Sequence, residues 1–162
     1  MDLTQFIQEF LDSFSYVTFQ TPTPGAIVCL VLGVLLLFCS AFVSCSEIAF
    51  FSLSPSDISE LEEEKRSVDK KIKALREDNE RLLATILISN NLVNVAIIML
   101  LNSFILQTVH FGTAVWIEFL FMTVVLTFLL LLFGEVVPKI YGVQRPLPFS
   151  RFAAPTLTVL NK

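Results

Sequence analysis

The sequence predicts an all-α integral membrane protein with three transmembrane helices and additional cytoplasmic helices beside the membrane. Three observations support this: 54% of the 162 residues are hydrophobic, the mean hydropathy is +0.74, and only 16% of the residues are charged. A soluble domain of this size has no core large enough to bury so much apolar surface. The composition therefore excludes an ordinary cytosolic enzyme, a disordered chain and a disulfide-stabilised secreted domain.

Three stretches of the sequence are apolar and long enough to cross a bilayer. Residues 25–46 contain no charge, and a helix over this stretch rises about 33 Å, which covers the hydrocarbon core. We predict spans at about 25–51, 83–109 and 113–135, with a cytoplasmic helical segment at 54–82. Residues 1–24 are acidic and lack the basic start and apolar core of a signal peptide, so we expect an extracytoplasmic N-terminal segment.

The positions of the basic residues predict the orientation. Of the 11 lysines and arginines, seven lie between the first and second spans and the other four follow the third. The positive-inside rule then places the N-terminus outside and the C-terminus in the cytoplasm, in a plasma or inner membrane. We expect Ser54 and Pro55 to start a cytoplasmic helix that is broken near Ser67. The charged run at residues 62–66 is interpreted as a solvated face.

Each predicted span carries polar residues, which cost free energy in lipid unless they are compensated. The candidate cation ligands are Ser40, Ser44, Asn90, Asn91, Asn94, Gly134 and Glu135. Pro138 has no N–H, so in a continuous α-helix it frees the carbonyl of Gly134. Hydroxyl, amide, carboxylate and carbonyl oxygens suit hard cations such as Mg²⁺, Ca²⁺ and Na⁺.

Simpler explanations exist for each group when it is taken alone. Serines in spans bond their own i−4 carbonyl or allow close packing, and asparagines hold helices together. Glu135 is four residues before Lys139, so its alternative role is an ion pair with Lys139 instead of cation binding. The convergence of three polar spans favours a cation site. Protease and hydrolase motifs are missing from the sequence and the net charge is −4, so we expect neither an enzyme nor a nucleic-acid partner.

Four elements of the sequence resemble the transmembrane domain of the cyclin M (CNNM) / CorB / CorC family of magnesium transporters. They are residues 40–47 (SAFVSCSE), 52–54 (SLS), 90–94 (NNLVN) and 134–139 (GEVVPK). The resemblance extends over residues 25–162. It implies a homodimer formed through the transmembrane helices, with a dehydrated Mg²⁺ near the centre of the domain. It also implies Mg²⁺ efflux, with Na⁺ as a candidate coupling ion.

The resemblance leaves two further points open. Family members usually continue into cytoplasmic CBS modules that bind ATP–Mg²⁺, and we expect those regulatory modules to be absent from this chain. Some bacterial relatives are linked to gliding motility or are called hemolysin-like. The alternative function is therefore a non-transporting scaffold or accessory protein of a larger assembly, with a structural cation site.

Overall fold

A computed structural model describes residues 2–15, 17–63, 66–112 and 115–161. Three helical stretches in these ranges are long and apolar enough to cross a membrane: Pro24–Phe51, Asn79–Thr108 and Ile117–Gln144. Helices of 28 or 30 residues rise about 42–45 Å, more than the roughly 30 Å of a hydrocarbon core. The predicted all-α membrane class with three spans is confirmed.

The elements are numbered here in chain order. They are α1 Leu3–Ser15, β1 Thr18–Phe19, α2 Pro24–Phe51, α3 Pro55–Glu62, α4 Ser67–Glu77, α5 Asn79–Thr108, β2 Val109–His110, α6 Val115–Leu129, a π-helical segment Leu130–Val136, α7 Val137–Gln144 and α8 Pro146–Leu160. The two short strands pair antiparallel, with Thr18 opposite His110 and Phe19 opposite Val109. This β element was not predicted, because strands of two residues leave no alternation pattern in a sequence.

The chain divides into two compact units, and the first comprises Met1–Leu35 and Ala96–Leu129. Its buried core consists of Phe111, Ile117, Met122 and Leu126, with Val17, Leu101, Ile105 and Val109 packed against them. The segment that enters α2 is tied to the end of α5, since the Gln20 N–H donates to the Thr108 carbonyl at 2.8 Å. Gly112 has a φ of 59°, a conformation that favours glycine, and it lies between the predicted second and third spans.

The second unit comprises Leu36–Val95 and Leu130–Lys162. Its core is formed by apolar side chains from the spans and from the helices beside the membrane: Val43, Phe50, Leu61, Ile72, Leu75, Leu82, Ile86, Leu147, Ala153, Ala154 and Leu157. Helix α4 packs against α8. The Thr85 hydroxyl of α5 donates to the side-chain oxygen of Asn161, just after α8, at 2.9 Å. These contacts join the helices beside the membrane and the adjoining parts of the spans into one core.

The helices between the first two spans begin where the sequence predicted. Ser54 caps α3 in a reciprocal capping box with Asp57: the Asp57 N–H donates to the Ser54 hydroxyl, and the Ser54 N–H donates to the Asp57 carboxylate. Helix α4 starts at Ser67, which agrees with the predicted break. In the run at 62–66, residues 62, 63 and 66 are exposed, and residues 64 and 65 lie outside the described ranges.

The second and third spans differ from their predicted limits. The second begins at Asn79, four residues earlier than predicted, and the predicted start of the third at residue 113 lies outside the described residues. The third was predicted to end near 135, yet it continues through the π-helical segment into α7. Pro138 lies in the first turn of α7. The π-helical segment runs directly into α7, so Pro138 does not end the span.

Candidate metal centre

Two buried serine hydroxyls on α2 contact the asparagines of α5. Ser40 and Ser44 are one helical turn apart, and neither side chain is exposed. The Ser40 hydroxyl lies 2.6 Å from Asn94 Oδ1 and 3.1 Å from Asn90 Oδ1, and the Ser44 hydroxyl donates to Asn90 Oδ1 at 3.3 Å. Since a hydroxyl has one hydrogen, Ser40 donates to one amide at a time. The serines therefore cross-link α2 to α5.

The alternative role of membrane serines, bonding to the i−4 carbonyl, applies to a neighbouring residue. Ser46 donates to the carbonyl of Phe42 at 2.7 Å, within α2. Ser40 and Ser44 do not need this bond, because their hydroxyls reach amide oxygens on another helix. The predicted polar residues Ser40 and Ser44 thus form hydrogen bonds from α2 to α5.

The π-helical segment contributes a carboxylate and a glycine to the same cluster. Asn94 Nδ2 donates to Glu135 Oε1 at 3.2 Å. Gly134 is buried, and a Cβ built on it would lie 3.1 Å from the Ser40 hydroxyl. A larger residue at 134 would therefore push against Ser40. We call the set of Ser40, Ser44, Asn90, Asn94 and Glu135 the hydroxyl–amide cluster.

Asn91 lies outside this cluster, whereas five of the other six candidate ligands form it and Gly134 packs against it. Its side chain is exposed on α5, whereas Asn90 and Asn94 are buried. At about 100° per residue, Asn91 lies about 100° from Asn90 and about 60° from Asn94 around α5, and its exposure shows that it points away from the face that contacts α2. The structure does not bring Asn91 to the predicted ligand set.

The suggested ion pair between Glu135 and Lys139 is wrong. Lys139 Nζ lies 3.2 Å from Glu47 Oε2. Lys139 therefore forms an ion pair with Glu47 on α2 and not with Glu135. Within the described part of the chain, Glu135 contacts the amide of Asn94 and forms no ion pair. The negative charge of Glu135 therefore has no cationic side chain beside it.

The π-helical segment also changes the prediction about Pro138. In an α-helix, Pro138 is the missing donor for the Gly134 carbonyl, but in a π-helix the i→i+5 pattern makes it the missing donor for Phe133. The π-helical pattern ends at Val136 and α7 begins at Val137. Two backbone carbonyls, not one, are thus candidates to lose their hydrogen-bond donor next to Glu135.

A second polar cluster, which the sequence did not predict, holds the helices beside the membrane together. Arg151 Nε donates to Asp69 Oδ1 at 2.8 Å, and its two terminal nitrogens donate to Asp69 Oδ2 at 3.2 Å and to Glu60 Oε1 at 2.8 Å. The Asp69 side chain is 0% exposed. We call Glu60, Asp69 and Arg151 the arginine cluster. It joins α3, α4 and α8.

The arginine cluster shifts the pKa values of its members. The hydrogen bond from Arg151 is the largest cause that lowers the pKa of Asp69 below its ordinary value, and the Arg66 N–H contributes in the same direction. The bond to Asp69 in turn raises the pKa of Arg151. A sequence signal was available: Asp69 lies three residues before the buried Ile72, on the apolar face of α4.

The chemistry of the hydroxyl–amide cluster is that of an oxygen-only environment around one carboxylate. Among the residues that the structure describes, no three His, Cys, Asp or Glu side chains group as they do in transition-metal sites. Hydroxyl, amide, carboxylate and backbone oxygens are ligands of hard cations. The arrangement is chemically suited to Mg²⁺, Ca²⁺ or Na⁺ and offers no thiolate or imidazole for zinc or copper.

Comparisons with known proteins identify the family. Residues 31–162 match the cyclin M transmembrane N-terminal domain, which is most of the chain. A comparison with curated proteins gives no significant match. The family match includes most of the first span, the whole of the other two, the helices beside the membrane, the hydroxyl–amide cluster and the arginine cluster. The chain is therefore an integral membrane protein that belongs to the cyclin M family of magnesium transporters.

Proposed function

We propose that the chain moves Mg²⁺ across the membrane and that the hydroxyl–amide cluster binds the ion during transport. The observation that carries the proposal is the unbroken polar chain from α2 to α5 to the π-helical segment. It runs from the Ser40 hydroxyl to Asn94 Oδ1 at 2.6 Å, and from Asn94 Nδ2 to Glu135 at 3.2 Å. Three spans thus place oxygen atoms at one point.

The geometry supports different roles for the two buried asparagines. Asn90 Oδ1 is within hydrogen-bond distance of both serine hydroxyls, so it orients their protons and leaves their lone pairs for a cation. Asn94 contacts both Ser40 and the only carboxylate of the cluster. We propose Asn94 as the amide ligand, with Ser40, Ser44 and Glu135 and a backbone carbonyl near Gly134. Mg²⁺ accepts six such oxygens at about 2.0–2.1 Å.

The homodimer proposed for this chain is supported by Asn91. Its exposed amide lies twelve residues into the 30-residue helix α5, which is far from either end of the span. An amide in hydrocarbon without a partner is costly, so a facing helix that supplies a hydrogen bond is favoured. We expect a dimeric mass in mild detergent, and we expect Asn91→Leu to shift the protein toward monomer. A monomeric wild type that still binds Mg²⁺ would contradict this part of the proposal.

Export in exchange for Na⁺ is the proposed direction and coupling, with the N-terminus outside. One carboxylate in each protomer leaves an excess positive charge when Mg²⁺ binds. Replacement of Mg²⁺ by Na⁺ at the same oxygens is then electrostatically favourable. The test is a flux assay in vesicles that contain the purified chain and a Mg²⁺-sensitive dye. We expect Mg²⁺ movement down its gradient, faster when Na⁺ is present on the opposite side.

A structural role for the cluster is the competing function, and one observation favours it. Ser40, Ser44, Asn90 and Asn94 already pair with one another, so they need no ion to satisfy their polar groups. A scaffold protein would show no Mg²⁺ flux above that of empty vesicles. The flux assay with the Glu135→Gln variant as a matched control separates the two functions, since only a transporter loses activity in that variant.

A further inference from the structure

Helix α1 has an exposed apolar face that is not part of the hydroxyl–amide cluster. Leu3, Ile7 and Leu11 are spaced four residues apart and are 71%, 47% and 62% exposed. At about 100° per residue they fall within an arc of about 80°. The described polar residues of α1 (Thr4, Gln5, Gln8, Asp12 and Ser15) fall outside that arc. In the sequence, phenylalanine also recurs every fourth residue, at positions 6, 10 and 14.

The position of α1 along the chain keeps it close to the ends of the spans. Strand β1 begins three residues after α1 ends, and it pairs with β2, which directly follows the second span. Three residues reach at most about 10 Å. The Thr23 hydroxyl donates to Gln107 Oε1 at 2.9 Å and fixes the start of α2 to the same end of α5. Helix α1 is therefore tethered within about 10 Å of the strand pair.

Apolar side chains are also exposed on β1 and near the start of the first span. Phe19 in β1 is 79% exposed, and Ile27, Val28 and Val31 in the outer part of α2 are also exposed. In an integral membrane protein, such residues on a span face hydrocarbon. A helix that carries apolar residues on one face only and lies at this level fits the boundary between headgroups and acyl chains.

We infer that α1 lies in the plane of the membrane surface, with Leu3, Ile7 and Leu11 inserted into the lipid. The occupant of this face is the bilayer itself. The first 15 residues contain Asp2, Glu9 and Asp12 and no lysine or arginine, so their side chains do not attract anionic headgroups. The helix is thus fitted to neutral or zwitterionic lipid and is held by apolar burial alone.

Tryptophan quenching in the intact, vesicle-reconstituted protein tests this inference. Trp116 is the only tryptophan, so Trp116→Phe provides a silent background in which Ile7→Trp and Gln5→Trp are compared. These positions are two residues apart and thus about 200° apart around α1. In phosphatidylcholine vesicles with brominated acyl chains, we expect Ile7→Trp to lose at least about half of its emission and to resist aqueous iodide. Gln5→Trp should show the reverse pattern.

Additional variants and lipids keep the test decisive. Leu11→Trp should behave like Ile7→Trp, which excludes a local effect of one substitution. Addition of anionic phosphatidylglycerol should not increase the bromine quenching. Equal iodide quenching at positions 5 and 7 would show a solvent-exposed helix and overturn the inference. Protection of position 7 from both quenchers would show that protein, such as a second copy of the chain, covers the face, and would also overturn it.

Discussion

The hydroxyl–amide cluster and the arginine cluster lie in the same compact unit, and each ties three helical elements together. They differ in how their carboxylates, the buried Asp69 and the half-buried Glu135, are compensated. Asp69 has the guanidinium of Arg151 at 2.8 Å, whereas Glu135 has only the amide of Asn94 at 3.2 Å. The guanidinium of Arg151 balances the charge of Asp69, so the arginine cluster needs no added cation. Within the described residues, the hydroxyl–amide cluster has no such cation, and this difference is what supports the proposal that a mobile ion binds at Glu135.

This comparison predicts that the arginine cluster contributes to stability and not to ion binding. Removal of one partner of a buried ion pair leaves an uncompensated charge and costs about 3–5 kcal/mol. We expect that loss in Arg151→Met, measured by thermal unfolding in mild detergent, while the Mg²⁺-induced stabilisation persists. Arg145→Met, at an exposed arginine before α8, is the matched control and should be nearly neutral. The double variant Asp69→Leu/Arg151→Met should recover much of the loss, and failure to do so would contradict a paired cluster.

The same cluster predicts sensitivity to acid. Because the folded-state pKa of Asp69 is below its ordinary value of 3.8, the ionised carboxylate stabilises the fold at neutral pH. That stabilisation is lost as the pH falls below about 5, through the ordinary pKa and then the folded-state pKa. The difference in melting temperature between wild type and Asp69→Asn should therefore be largest near pH 7 and shrink as the pH falls through 3.8 and below. A constant difference would mean that Asp69 is not held ionised by Arg151.

Alanine substitutions at two glycines of the third span should have different effects on stability and on ion binding. A Cβ at Gly142 would lie 2.8 Å from the backbone oxygen of Cys45, which cannot move without shifting α2. Gly142→Ala should therefore cost about 1–3 kcal/mol by overpacking and leave Mg²⁺ affinity almost unchanged. A Cβ at Gly134 would lie 3.1 Å from the Ser40 hydroxyl and at ordinary contact distance, 3.6 Å, from Leu37 Cδ1. Gly134→Ala should cost less stability than Gly142→Ala but weaken Mg²⁺ binding. If a Mg²⁺ titration shows weaker binding in Gly142→Ala than in Gly134→Ala, the assignment of the site to the hydroxyl–amide cluster is refuted.

Pro138 is expected to have the smallest effect on stability. It lies in the first turn of α7, where its missing N–H costs little, so Pro138→Ala should change unfolding by less than about 1 kcal/mol. The new N–H would compete with the ion for a carbonyl of Phe133 or Gly134, so the Mg²⁺ midpoint should rise. Pro155→Ala, inside α8, is the control: it should raise stability and leave the midpoint unchanged. Equal Mg²⁺ midpoints for Pro138→Ala and wild type would mean that no freed carbonyl binds the ion and that side chains alone provide the proposed ligands.

The spans and most of the hydroxyl–amide cluster were predictable because their signals are local. Charge-free stretches of helical length mark the spans, and the spacing of Ser40 and Ser44 marks one face of α2. The π-helical segment was not predictable, since no periodicity distinguishes seven such residues from an α-helix. The exposure of Asn91 follows from the helical phase of α5, which depends on how α5 packs against its neighbours. The burial of Asp69 depends on Arg151, which is 82 residues away in the sequence.

The central claim is that Glu135 supplies the charge that binds Mg²⁺, whereas the nearby carboxylate of Glu47 is already paired with Lys139. The most direct test is a Mg²⁺ titration of melting temperature for wild type, Glu135→Gln and the pair-deleting variant Glu47→Gln/Lys139→Gln. At 100 times the Kd, a bound ion stabilises the folded state by about 2.7 kcal/mol. We predict this stabilisation in wild type and in the pair-deleting variant, and its loss in Glu135→Gln. Equal Mg²⁺-induced stabilisation of wild type and Glu135→Gln would contradict the claim.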